Sequence, residues 1–227
     1  MDIKNDIHIM EMNDKLYQRL KQSELVIHAK VESVLRQISS WKYATHEFYV
    51  PAPYQNELAG LPNGRIRKNI EEKDRLKIAG LYSFGFNAEG KILCSQEAPD
   101  NIGNGIITDI YEYDNAFSYY VYHVKYIPNQ YTTIISISYF YPYHEMNIFQ
   151  GINSYKDWSV YLYEYDKERI SKVHRYASRW DNMPAEEYNF AYENNLLCAI
   201  VGEKRLKNGE LYLSLIHISE PTRRSYI

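Results

Sequence analysis

At 227 residues, with 45% apolar side chains and charges of both signs, the chain can bury one sizeable core and does not have the composition of a disordered segment. A formal charge of −3 gives no basic field for a phosphate backbone, so nucleic acid is not the expected partner. Two lone cysteines, Cys94 and Cys198, fit a reducing compartment better than a disulfide scaffold and read as small core residues, a disulfide between them being the lesser alternative. Met1-Asp2-Ile3-Lys4 opens no signal-peptide core, and no apolar run approaches the length of a membrane span. The expected location is therefore cytoplasmic, with no membrane contact. Tyrosine is the unusual component, with 24 copies against 7 Phe and 3 Trp; its ring packs while its hydroxyl reaches water, which suits a half-wet strand surface.

In chain order, Asn13 or Asp14 is placed to cap a helix that runs to about Ser39. Leu16, Leu20, Ile27, Val31, Val34, Ile38 and then Trp41 recur at spacings of three, four or seven, which makes one apolar stripe. Lys15, Arg19, Lys21, Glu24, Lys30, Glu32 and Arg36 lie mostly off it, so the helix is expected to pack on a sheet rather than stand alone. Residues 42–74 are loop-rich. Val50-Pro51-Ala52-Pro53 cannot sustain a helix, and Gly60-Leu61-Pro62-Asn63-Gly64 is turn punctuation. The charged run that follows reads either as a short helix over 66–76 or as a solvated loop, and a recognition loop would sit here.

Strands are expected from there on. Residues 78–86 and 91–97 flank Asn87-Ala88-Glu89-Gly90, where Gly90 supplies a positive φ. Further strands fall at 106–113, 117–126 and 131–141, with turns at Gly103-Asn104-Gly105, Asp114-Asn115 and Pro128-Asn129. Tyr120, Tyr122, Val124 and Tyr126 share one face, as do Ile135, Ile137, Tyr139 and Tyr141. Residues 141–154, with Pro142 and Gly151, read as an irregular link. The clearest hairpin spans 159–173, with apolar residues at 160–165, a polar turn at 166–169, and Ile170 and Val173 resuming the pattern. A loop at Asn182-Met183-Pro184, a hairpin at 188–200 and a turn at Asn208-Gly209 complete the series. Neighbouring strands with short turns imply antiparallel pairing. The expected fold class is α+β: an N-terminal amphipathic helix (segment 1–45), a linker (46–74), and a tyrosine-rich antiparallel β-meander (75–212).

Tyr163-Glu164-Tyr165-Asp166-Lys167-Glu168-Arg169-Ile170-Ser171-Lys172-Val173 resembles a tyrosine-aspartate repeat of the Rhs type, whose unit runs Tyr-x-Tyr-Asp-x-x-Gly-Arg-Leu/Ile-x-x-Val. Tyr111-Glu112-Tyr113-Asp114 repeats its first half, and residues 84–92 and 188–200 are degenerate copies. Glu168 replaces the family's turn glycine, and the spacing between units is irregular. Long arrays of such repeats form shells around bacterial toxin domains; a short, irregular set is similar to small sheet proteins found beside toxin genes as immunity proteins. A second resemblance concerns the tail. Residues 213–223, LSLIHISEPTR, are identical to the in-frame translation of a transposase adapter used to prepare DNA sequencing libraries. Residues 213–227 are accordingly read as a non-native tail, with the native chain continuing differently after about Tyr212.

No phosphate-binding glycine loop, HExxH, paired CxxC or GxSxG elbow occurs. His8, His28, His46, His123, His144 and His174 have no metal-ligand spacing, and no cofactor, metal or catalytic residue is assigned. Glu164 and Asp166 share a strand face, but nothing places a substrate between them. The expected function is a non-enzymatic bacterial protein-binding module, with an immunity protein as what the analogy to small sheet proteins implies. Tyr163, Glu164, Asp166 and Glu168 would be its contact residues and a basic toxin domain its partner. A fragment of a larger repeat protein and an enzyme of unknown class are the alternatives.

Overall fold

The computed structural model describes residues 3–22, 24–99, 105–178, 186–194, 196–205 and 210–217. The expected turns at Gly103-Asn104, Asn182-Met183-Pro184 and Asn208-Gly209 lie outside these residues. The N-terminal segment holds two helices where one was expected, α1 (Ile7–Leu20) and α2 (Glu24–Arg36). The first begins earlier than predicted because Asp6, in extended conformation, accepts a hydrogen bond from the Ile9 backbone N–H at 3.1 Å. The predicted stripe survives the break: Leu16, Ile27 and Val31 are buried, Leu20 and Val34 pack at the margin, and Ile9 and Met12 extend it. Trp41 belongs instead to a strand, β1 (Ser40–Ala44).

A one-turn helix, α3 (Gln55–Leu58), and a two-residue strand, β2 (Ile66–Arg67), follow, with a 3-10 turn at Glu72–Asp74 in place of the longer helix considered for 66–76. The remaining strands are β3 (Tyr82–Phe86), β4 (Ile92–Glu97), β5 (Ile106–Tyr113), β6 (Tyr119–Ile127), β7 (Tyr131–Tyr143), β8 (Met146–Asn153), β9 (Trp158–Asp166), β10 (Arg169–Ala177), β11 (Glu186–Glu193), β12 (Leu196–Arg205) and β13 (Leu211–His217). They form one antiparallel sheet in the order β13 to β3 without interruption, then β1 and β2. The sheet dominates the molecule, with the two helices laid on one face.

Two sequence expectations are corrected. The link at 141–154 is ordered strand: β7 runs through Pro142, and β8 returns after a tight turn in which His144 takes φ 54°. Proline is tolerated there because β6 begins, at Tyr119, opposite Phe140, so Pro142 has a paired strand on one side only. Gly151 is equally explicable, since a Cβ there would lie 2.5 Å from Ser138 Oγ. In β7, a register shift opposite His123 and Val124 makes Ile134, not Ile135, the partner of Val124 and the residue packed on the helix-side core.

The tyrosines are also spent differently than expected. Tyr122 and Tyr163 are fully buried, and Tyr111, Tyr119, Tyr120, Tyr126, Tyr139, Tyr141 and Tyr188 nearly so. Some of their hydroxyls find internal acceptors instead of water: Tyr119 Oη donates to Pro51 O at 2.8 Å and Tyr141 Oη to Gln150 Oε1 at 2.9 Å, whereas those of Tyr111 and Tyr163 have no partner among the described residues. On the helix face Arg19 Nη1 donates to Glu112 Oε1 and to Tyr122 Oη, both at 2.7 Å, and Lys30 bonds the other Glu112 oxygen. This clamp outweighs burial and holds the Glu112 carboxyl below its ordinary range.

The second face is covered by residues 46–64. Val50, Pro51, Ala52, Pro53, Asn56, Glu57 and Leu58 are buried there, so the segment expected to be a loop is a packed strap. Tyr49 packs edge-on against Phe84 and Phe86 of β3, while Tyr54 meets Phe190 of β11 at 5.0 Å. Five residues span at most roughly 18 Å, whereas eight strand spacings in a flat sheet measure roughly 38 Å. Side chains standing off the sheet add little sideways reach. The sheet therefore curls around the strap, which is how so many strands bury their second face.

Candidate functional site

Two places gather polar side chains. At the β9–β10 hairpin, Asp166 pairs with Arg169 across a turn in which Lys167 takes φ 59°. Tyr163 is fully buried in the strap-side core, so its ring is committed to packing. Glu164 lies on the opposite face and contacts His174 Nε2 at 2.9 Å; His174 Nδ1 lies 3.4 Å from Glu187, which Lys172 bonds at 2.9 Å. Next to this network, Glu186 is bound by Arg175 and Lys204. Asp166 and Glu168 are exposed, and among the described residues neither belongs to an ion pair. Of the four predicted contact residues, these two present free charge, Glu164 is engaged, and Tyr163 is inside.

The second place was missed by sequence. On the strap side, Ser95 of β4, Asp109 of β5, His123 of β6 and Ser136 of β7 stand in one cross-strand row. Ser95 Oγ donates to Asp109 Oδ2 at 3.1 Å, and His123 Nδ1 contacts Asp109 Oδ1 at 2.7 Å. Among the described residues His123 Nε2 is left open. Glu47 enters from the strap. Its backbone carbonyl is held by the Asn56 side chain at 2.9 Å and the Gly64 N–H at 3.1 Å. Burial first, then the Asp109 charge, push the Glu47 carboxyl up to about 7, against the pull of His123; Glu97 adds to the rise. For His123, burial works downward, but the Asp109 hydrogen bond and charge, then Glu47 and Glu97, prevail and raise it. Tyr111 forms the inner wall, 3% exposed, its hydroxyl without a hydrogen-bond partner.

An imidazole oriented by a carboxylate is a general-base arrangement, but among the described residues no hydroxyl or thiol hydrogen-bonds its free nitrogen. Nor do they contain a group of three or more His, Cys, Asp or Glu with metal-binding geometry. Cys94 is buried and its thiol is pushed up to about 12, chiefly by burial; Cys198 is half-buried rather than core, and both are free. A signal for the row existed in the sequence: Asp109 stands between Ile107 and Tyr111 on one face of β5, and His123 follows Tyr119 and Val121 on one face of β6, with Lys125 beyond it. Glu47 had none, because a loop delivers it. No helix among the described residues is long and apolar enough to cross a membrane. Comparison with protein-family models, curated proteins and solved structures finds no match.

Proposed function

We propose that this chain is a non-enzymatic protein-binding module that presents the β9–β10 turn to a basic partner, in the manner of an immunity protein that meets a toxin domain. The observation behind this reading is a contrast across three neighbouring strands, β9 to β11. Glu164, Glu186 and Glu187 are tied to basic side chains, whereas Asp166 and Glu168 at the tip are exposed and unpaired among the described residues. Unpaired rim charges govern encounter rate and partner choice more than resting stability. The same reading makes residues 213–227 translated adapter sequence.

Long-read sequencing of the source locus through the Tyr212 codon tests both. The expected result is a different sequence after Tyr212 and an adjacent gene for a toxin. Co-expression with that toxin should protect the host, and D166K/E168K should remove protection. A frame that continues through many more Tyr-Asp units would replace this reading with a repeat-shell protein.

A further inference from the structure

The recess beside the strap has an unbalanced charge. Glu47, Glu97 and Asp109 converge on it, and among the described residues no lysine or arginine bridges any of them; His123 is the cationic group in contact. The Asp109 side chain is 12% exposed and that of His123 38%, so the recess is shielded yet open to solvent. Carboxylates gathered in a shielded site repel one another, and for Glu47 the Asp109 charge adds to the larger effect of burial. Tyr111 supplies an independent observation. Its buried hydroxyl has no partner among the described residues, and after burial the strongest influences on it are the Asp109 and Glu47 charges. An orphaned buried hydroxyl costs free energy that a ligand's hydrogen bond would recover. What the recess lacks is one positive charge with several N–H donors.

We propose that Glu47, Glu97, Asp109 and Tyr111 form a receptor for an organic cation, a guanidinium or primary ammonium group. Glu47 and Asp109 accept its N–H bonds, the Tyr111 hydroxyl accepts a third, and His123 gives up its proton as the cation enters. A guanidinium suits the site better than a metal ion, because its donors spread over a planar fork instead of demanding a closed coordination shell. The partly exposed ring of Tyr82, which pairs across the ladder with Glu97, supplies a face against which such a cation packs.

The test is an NMR titration of the His123 imidazole with two probes, methylguanidinium chloride and a tetra-arginine peptide, against potassium chloride at equal ionic strength. Saturable binding is expected, with a downward shift of the His123 titration and a loss of at least about tenfold in affinity in E47Q, since a charge-assisted bond is removed. Glu47 makes no side-chain hydrogen bond among the described residues, so E47Q keeps the fold; D109N is the second variant and should behave alike. Binding of both probes assigns the site to a free cation, and binding of the peptide alone assigns it to a basic side chain of a protein. If neither probe moves His123 beyond the salt control, or if E47Q binds as well as the parent, the proposal fails.

Discussion

Glu47 and His123 couple the recess to stability. A carboxyl lifted to about 7 in the fold, from an ordinary 4.5, costs stability as pH rises from 4.5 to 7, because the folded state holds the proton more tightly than the unfolded chain does. The upper bound is roughly 3 kcal/mol. His123, also raised, contributes stability that is complete below 6.5 and is lost as pH rises through its folded value. Both act in one direction, so between pH 8 and pH 5 acidification should raise Tm. E47Q should raise Tm at pH 8 and leave it nearly unchanged at pH 5, and thermal denaturation at the two values reads this directly. Below about pH 4.5 the trend reverses, as Glu112, Glu186 and Glu187, all held low by basic partners, take up protons. A variant whose Tm is equal to the parent's at pH 8 would show that Glu47 is ionised there without cost.

At the scale of elements, the bulge in β7 and the strap make separate claims. Truncating Ile134, which packs on the helix-side core, should cost more than truncating Ile135, which joins none of the buried clusters. Urea unfolding of I134A and I135A measures the difference, and equal losses would place the bulge elsewhere. Leu58 anchors the strap in the second core, so L58A should lose about 2 to 4 kcal/mol, where a solvated loop would lose almost nothing. Much of this layer was legible in the residues. The alternation of 106–113 gave β5 to the residue, and Asn87-Ala88-Glu89-Gly90 gave its turn, with Gly90 at φ 79°. Three features were not legible, each for a physical reason. Pro142 and Gly151 punctuate most sequences, and only the start of β6 and the nearness of Ser138 make them strand residues here. The end of α1 at Leu20 leaves the apolar stripe intact, so periodicity could not show it. The strap's prolines exclude helix but do not say which face the chain will cover.

For the whole molecule, the meander followed from short turns, and its curl from a strap too short for a flat sheet to share. The β13 strand carries a further lesson. Its residues from Leu213 onward match the adapter string, yet LYLSLIH pairs with β12 from Ala199 to Arg205. An open sheet edge accepts any chain of suitable alternation, because the ladder bonds belong to the backbone. The pairing therefore says little about the origin of the strand. The β9–β10 turn is a different matter, since the role proposed for it rests on the Asp166 and Glu168 side chains, which are exposed and unpaired among the described residues. The measurement closest to that proposal is calorimetric titration of the chain, and of D166K/E168K, with whatever basic toxin domain sequencing of the neighbouring genes reveals. The predicted result is a one-to-one complex that weakens as salt is added, with affinity falling at least about tenfold in the double variant. A complex of undiminished affinity in D166K/E168K, or none with the parent chain, would contradict it.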